Sequence, residues 1–245
     1  MKIKKRARIY VIKLNKKIIS LILIIILAII IIAFFNGFNS TEIFKHSSGE
    51  KIIIDPGHGG IDGGTGDKGG LLEKDVNLDV ALYLKEELMK DGFNVIMTRE
   101  EDESLEDFSS INASRYRRDL NARKSIINKN KPKAFVSIHV NSSKKTTARG
   151  VQVYYYPGSN ESQELARNIC KSIDINVYEK FLKSGELKVK VLPEDYFILR
   201  ETECTGVLVE IGFITNPEDN ALLKNDKYKR KIAYSIKEGV KMWLE

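Results

Sequence analysis

From residue 51 onward, short runs rich in branched and aromatic residues alternate with helix-patterned stretches, and this alternation restricts the chain to few folds. The runs are Lys51–Asp55, Asn94–Thr98, Ala134–His139, Val151–Tyr156, Tyr196–Leu199 and Gly206–Ile211. Between them, Asp75–Asp91 carries Val76, Leu78, Val80, Leu82, Leu84 and Leu88 and stops at Gly92, and further helices are predicted over about 119–129, 160–182 and 226–244. Strand-helix alternation predicts an α/β fold, with a mostly parallel, roughly six-stranded sheet covered by helices on both faces. A run such as Val207-Leu208-Val209-Glu210-Ile211 is apolar on both faces, as a buried parallel strand is. Glu100–Arg118 and Lys183–Lys190 are polar and charged and read as surface connections.

The N-terminus is a separate object. In residues 18–35 Ser20 is the only polar side chain, and eight basic residues precede the run, with no acid before Glu42. The length and the flanking charge predict a transmembrane anchor over 18–36 behind a basic cytoplasmic tail, 1–17. A polar linker, 37–50, and a catalytic domain, 51–245, are expected to follow. The expected localisation is a single-pass protein of the cell membrane with its catalytic domain extracytoplasmic. A cleaved signal peptide is the rival reading, but the run is long for one and no A-x-A site follows it. The net charge of +7 reports this orientation. Without those eight residues, 32 basic side chains stand against 33 acidic ones, which gives no reason to expect a nucleic-acid partner. Cys170 and Cys204 are too few for a disulfide framework and are expected unpaired.

Three residues with metal or acid-base chemistry sit at predicted strand ends: His58 in Asp55-Pro56-Gly57-His58-Gly59-Gly60, His139 in Ser137-Ile138-His139-Val140-Asn141, and Glu210. Parallel sheets bind ligands beyond the carboxyl ends of their strands, so the three share one edge. Glu73, 15 residues after His58 at the start of the first long helix, is placed near the same edge. Taken singly, each has an ordinary structural explanation: a hydrogen-bonded histidine, a capping carboxylate, a first-turn acid favoured by the helix dipole. No P-loop and no G-x-S-x-G elbow is present, and neither cysteine has a histidine nearby in sequence. Metal-assisted hydrolysis is what remains. His46 falls in the linker and is expected to be a bystander.

These segments, with Glu73-Lys74-Asp75-Val76-Asn77-Leu78 and Val209-Glu210-Ile211-Gly212-Phe213-Ile214-Thr215-Asn216, resemble the amidase_3 family of N-acetylmuramoyl-L-alanine amidases, in the family's order from Ile52 to the C-terminus. The resemblance implies that His58, Glu73 and His139 bind Zn²⁺, that Glu210 is the catalytic carboxylate, and that peptidoglycan is the substrate. Two imidazoles and a carboxylate would leave one zinc position open, as catalytic sites do. Asp55 is a candidate to orient a ligand histidine and Asn141 to position substrate, against plain hydrogen-bonding roles for both. Arg123 reads as a structural ion pair. One departure stands out: where the family often carries an Asn-Arg or Asp-Arg pair before the penultimate strand, this chain has Gly185-Glu186-Leu187-Lys188-Val189-Lys190. That puts substrate contacts along this rim in doubt.

Two other functions share these features. A zinc peptidase of the stem peptide would use the same constellation, and a non-catalytic peptidoglycan-binding regulator would keep only the fold. Small anchored members resemble the spore-cortex amidases of endospore formers, which makes cortex maturation an expected role. Because no inhibitory domain is evident, control is expected from an extracytoplasmic activator protein.

Overall fold

A computed structural model describes Lys17, Ser20, residues 24–27 and residues 49–245. The chain divides into two units, Met1–Lys45 and His46–Glu245, and the second holds the sheet. Its sheet is built from β1 (Lys51–Pro56), β2 (Asn94–Met97), β3 (Ala134–Asn141), β4 (Gln152–Tyr155), β5 (Lys190–Pro193) and β6 (Thr205–Phe213). The helices are α1 (Glu73–Lys90), α2 (Arg115–Asn130), α3 (Asn160–Ile173), α4 (Phe197–Arg200), α5 (Pro217–Leu223) and α6 (Asp226–Leu244). A π-helical turn, Asp174–Glu179, extends α3. The strand order is β2-β1-β3-β6-β4-β5. Every neighbouring pair is parallel except β4 with β6.

The two faces of the sheet have different partners, and strand alternation decides which residue serves which. Ile52, Ile54, Val136, Ile138, Val207 and Val209 face α1, α3 and α6, which bury Leu84, Ile169 and Ile236 against them. Each such fully buried aliphatic side chain contributes about 1.5–3 kcal/mol. On the opposite face, Ile53, Phe135 and Leu208 pack with Ile127 of α2 and with Ile198 and Leu199 of α4. Two residues further along the same strands this second face turns polar, with Asp55, Ser137 and Glu210, and His139 follows two residues after Ser137.

Three expectations need correction. The strand not expected is β5, Lys190–Pro193, which starts at the last residue of the Lys183–Lys190 connector, whereas Tyr196–Leu199 forms no strand. Phe197–Arg200 makes one helical turn instead, because Ile198 and Leu199 cover the second sheet face and do not pair at its edge. The third correction concerns the N-terminus. Crossing a bilayer takes about 20 consecutive apolar helical residues. Among the described residues no helix is long and apolar enough to cross a membrane. Within 18–36 only Ser20 and residues 24–27 are described, as helix, and these amount to little more than one turn. Membrane attachment through this segment is therefore not supported, nor is the cell-membrane, extracytoplasmic placement that rested on it. The rest of that stretch, the tail before Lys17 and residues 37–48 with His46 lie outside the described residues.

Candidate metal centre and active site

β1 ends at Pro56, and the chain must turn at once to bring His58 over the strand ends. Gly57 makes this approach possible: a Cβ there would lie 2.1 Å from Cε1 of His139. His58 itself adopts a left-handed conformation, with φ of 62°. For a residue with a Cβ this stores strain, which the surroundings must offset. They do so at both ends of the residue. Arg123 Nη2 donates to the His58 carbonyl at 2.7 Å, and the imidazole Nδ1 meets Asp62 Oδ2 at 2.7 Å. Nε2 is thereby turned toward Glu73 Oε1, 3.2 Å away.

Glu73 is the first residue of α1 and is buried. Its Oε2 accepts from the Thr65 backbone N–H at 2.9 Å. Gly64, with φ of 66°, lies so close that a Cβ there would be 2.6 Å from the same oxygen. Its Oε1 faces His139 Nδ1 at 3.0 Å and accepts from the Val140 N–H at 3.0 Å. The β3–β6 register shifts between His139 and Asn141, and at this irregularity the Val140 N–H serves the carboxylate. His58, Glu73 and His139 each offer a ligand atom, and the three atoms lie within 4.8 Å of one another.

Electrostatics tie the three together. Burial alone would lower the pKa of His58, but the hydrogen bond and charge of Glu73, with those of Asp62, outweigh it and push the pKa up to about 9. Burial likewise works against the Glu73 carboxylate, yet the two imidazoles hold its pKa well below the usual range. An arrangement that stabilises a positive charge this strongly suits a cation, and two imidazoles with one carboxylate are zinc-type donors.

Glu210 stands beside His139 in the parallel register of β3 and β6. Its Oε2 is shielded from solvent and has no hydrogen-bond partner among the described residues. Burial, then the charge of Glu73, raises its pKa to about 8, with His58 opposing. A solvent-shielded carboxylate oxygen without a partner costs stability, so its place beside His139 calls for a functional explanation.

The supporting residues differ from expectation in part. Asp55 hydrogen-bonds neither His58 nor His139. It accepts from Thr98 Oγ1 at 2.6 Å, Ser137 Oγ at 2.7 Å and Arg123 Nη1 at 2.8 Å. Arg123 is the ion-paired residue the sequence suggested, and it also carries the His58 loop through the Pro56 and His58 carbonyls. Asn141 bonds Gln152. Asp62, Arg99 and Asn77 were not singled out in the sequence. Arg99 and Asn77 both donate to the Gly57 carbonyl, at 3.0 and 3.2 Å, fixing the loop from below. An acid four residues after His58 in a glycine-rich loop was the one readable signal among them. Beside His58 opens a groove of about 500 Å³, lined by Ile61, Asp62, Arg115 and Tyr116 among others. The two cysteines are free, and burial pushes both thiols up, Cys204 to about 11, which leaves neither primed as a nucleophile.

Residues 52–242 match the family model Amidase_3, N-acetylmuramoyl-L-alanine amidase. The chain belongs to this family. It is 37% identical over 194 residues to the germination-specific N-acetylmuramoyl-L-alanine amidase of Bacillus subtilis, covering 79% of each protein. It is 32% identical over 200 residues to the probable cell wall amidase LytH of Staphylococcus aureus, covering 80% of this chain and 59% of that one. Among solved structures it resembles the CwlD amidase of Clostridioides difficile, determined in complex with the GerS lipoprotein. The TM-score there is 0.71 with 35% identity, over 80% of this chain and 98% of that chain. Amidase_3 membership and the His58/Glu73/His139 cluster make the protein a zinc-dependent hydrolase. The bond it cuts joins N-acetylmuramic acid to L-alanine in peptidoglycan. The stem-peptide peptidase and the non-catalytic regulator give way to this activity.

Proposed function

We propose that His58, Glu73 and His139 are the zinc ligands of this amidase and that Glu210 is its general base. The observation that carries the reading is the buried, unpartnered Oε2 of Glu210, held in register beside His139. When bound, zinc supplies Lewis-acid chemistry, polarising a carbonyl and easing the deprotonation of water.

The residues of the chain do the rest. Asp62 holds the His58 ring so that Nε2 faces the cluster. Thr65 and Val140 fix both oxygens of Glu73 through backbone N–H groups. Glu210 takes the proton of the attacking water as it adds to the lactyl carbonyl. Glu210 then delivers that proton to the alanine nitrogen as the C–N bond breaks. The products are a muramoyl carboxylate and a peptide with a free N-terminal L-alanine. The groove beside His58, where Asp62, Glu106 and Asp119 stand with the Glu106-paired Arg115, offers polar and charged contacts to a stem peptide.

Activity on purified peptidoglycan, read as new N-terminal alanine, tests the reading. Loss of turnover with retained zinc in Glu210→Gln supports it, and near-normal turnover overturns the role of Glu210. The same assay on the chain alone decides whether an activating protein is required.

We infer a role in the spore cortex from the likeness to the germination-specific Bacillus subtilis amidase. A muropeptide profile from a deletion strain tests it. Unchanged cortex with altered vegetative wall would assign the enzyme to growth instead.

A further inference from the structure

Gln152 lies on the other side of Glu210 from His139, its partner in register across the antiparallel β4–β6 pair. Opposed residues on neighbouring strands point to the same face, so the amide of Gln152 stands next to the carboxylate of Glu210. A chain of hydrogen bonds that begins at a backbone group fixes which way this amide points. The Ser142 N–H can only donate, and it donates to Asn141 Oδ1 at 2.8 Å. The other end of the Asn141 amide is therefore its NH₂, which donates to Gln152 at 3.1 Å. The atom receiving that bond must be Oε1, and the Tyr154 hydroxyl donates to it as well, at 2.7 Å. Oε1 is thus doubly occupied. The two Nε2 donors of a half-buried side chain are unused by the described residues.

The surroundings of this donor are aromatic. Tyr196 packs edge-on to Tyr154, with ring centroids 5.4 Å apart, and is 37% exposed. Burial, with the Glu210 charge contributing, keeps the protons on both phenols. The β1 side of the site is different in kind, since the groove beside His58 carries Arg115, Glu106 and Asp62. A scissile amide seated at Glu210 joins a charged peptide to a neutral sugar. The charged groove matches the first and the Gln152–Tyr154–Tyr196 side matches the second.

We propose that Gln152 Nε2 donates to the N-acetyl carbonyl of the muramoyl sugar, with the tyrosine pair against the acetyl methyl. The orientation rests on the reading of Glu210 as the base, because that places the scissile amide. Gln152 would then set which glycans are cut: N-acetylated muramoyl residues are held and de-N-acetylated ones are not.

The test is binding of a peptide-free tetrasaccharide containing N-acetylmuramic acid, and of its de-N-acetylated counterpart, to the zinc-loaded chain by calorimetry. Gln152→Met removes the donors at similar length. Gln152→Glu keeps an acceptor for Asn141 and Tyr154 while replacing the donor, and it also sets a second carboxylate beside Glu210, so its zinc content is measured first. Both variants should bind the N-acetylated glycan roughly 10-fold more weakly, the scale of one lost hydrogen bond, with unchanged zinc content; Gln152→Met should also melt lower, because Asn141 and Tyr154 lose their acceptor. Gln152→Met should bind the de-N-acetylated glycan as the parent does. An equal loss on both glycans, or no loss on either, overturns the proposal. A failure of the Glu210 reading shows separately, as normal turnover by Glu210→Gln, and does not alter the binding comparison.

Discussion

His139 and Glu210 are paired in register across the parallel β3–β6 pair, so two adjacent strands at the centre of the sheet carry the proposed ligand and the proposed base side by side. Replacing the base should not disturb the ligand. Glu210→Gln is expected to lower kcat by roughly 10²–10⁴-fold, the range for a positioned acid-base group. Bound zinc, measured by atomic absorption, should stay at the parent level.

The ligands should behave in the opposite way. His58→Ala, His139→Ala and Glu73→Ala are each expected to lose bound zinc along with activity, and chelation of the parent should abolish turnover reversibly. Asp62→Ala, which removes the partner of His58 Nδ1 and the acceptor of the Gly64 N–H, should weaken zinc affinity by about 10–100-fold, the usual cost of losing such a partner. Zinc titration with a competing chelator measures both.

Gly57 is a steric requirement of the same site. Any Cβ at this position meets the His139 ring, with all three nearest atoms at 2.1–2.6 Å. Gly57→Ala should therefore displace His139 and lose zinc, while circular dichroism reports an intact fold. Full zinc occupancy in this variant would mean that the loop relaxes away from the ring.

The pair Asp55–Arg123 is buried at both ends, with side chains 2% and 3% exposed. Arg123→Ala leaves a buried carboxylate without its cation and should cost about 3–5 kcal/mol, read as a fall in the urea midpoint. The pH dependence has a definite sign. Burial raises the pKa of Asp55, but Arg123, Thr98 and Ser137 outweigh it and the pKa lies below its usual 3.8. A depressed carboxylate contributes stability that is present above its unfolded value and is lost as pH falls through the folded one. Parent stability should thus decline below about pH 4, and Asp55→Asn should flatten that part of the curve.

Much of this was readable because polar residues interrupt apolar runs at β1, β3 and β6. His139 and Glu210 are conspicuous in such strands, and parallel topology sends their ends to one edge. β5 was not readable. Lys-Val-Leu-Pro is short, ends in proline and follows a charged segment, so it lacks both alternation and an apolar run. Tyr-Phe-Ile-Leu has the apolar run but uses it to cover a face. Asn216 closes a quoted motif, yet with the following Pro217 it also announces α5: the Asn216 side chain caps the helix by accepting from the Glu218 and Asp219 N–H groups, and proline sits in its first turn. Arg99 and Asn77 act through the Gly57 carbonyl, a backbone atom, and no side-chain pattern in a sequence reveals such a contact.

The change from apolar to polar along one sheet face has a consequence for how the strands find their alignment. A slip of one residue would turn every side chain to the wrong face, and hydrophobicity forbids it. A slip of two keeps each side chain on its own face, so the pattern of greasy and polar residues penalises it less. It would, however, set Asp55 opposite Phe135 or His139 in place of Ser137, its present partner in register. The Asp55 carboxylate would then lose the hydroxyl it bonds at 2.7 Å while remaining buried. The Asp55–Ser137 bond therefore acts as a vernier for the central strands. Removing it should let misaligned pairings compete during folding even where the mature enzyme still tolerates the change.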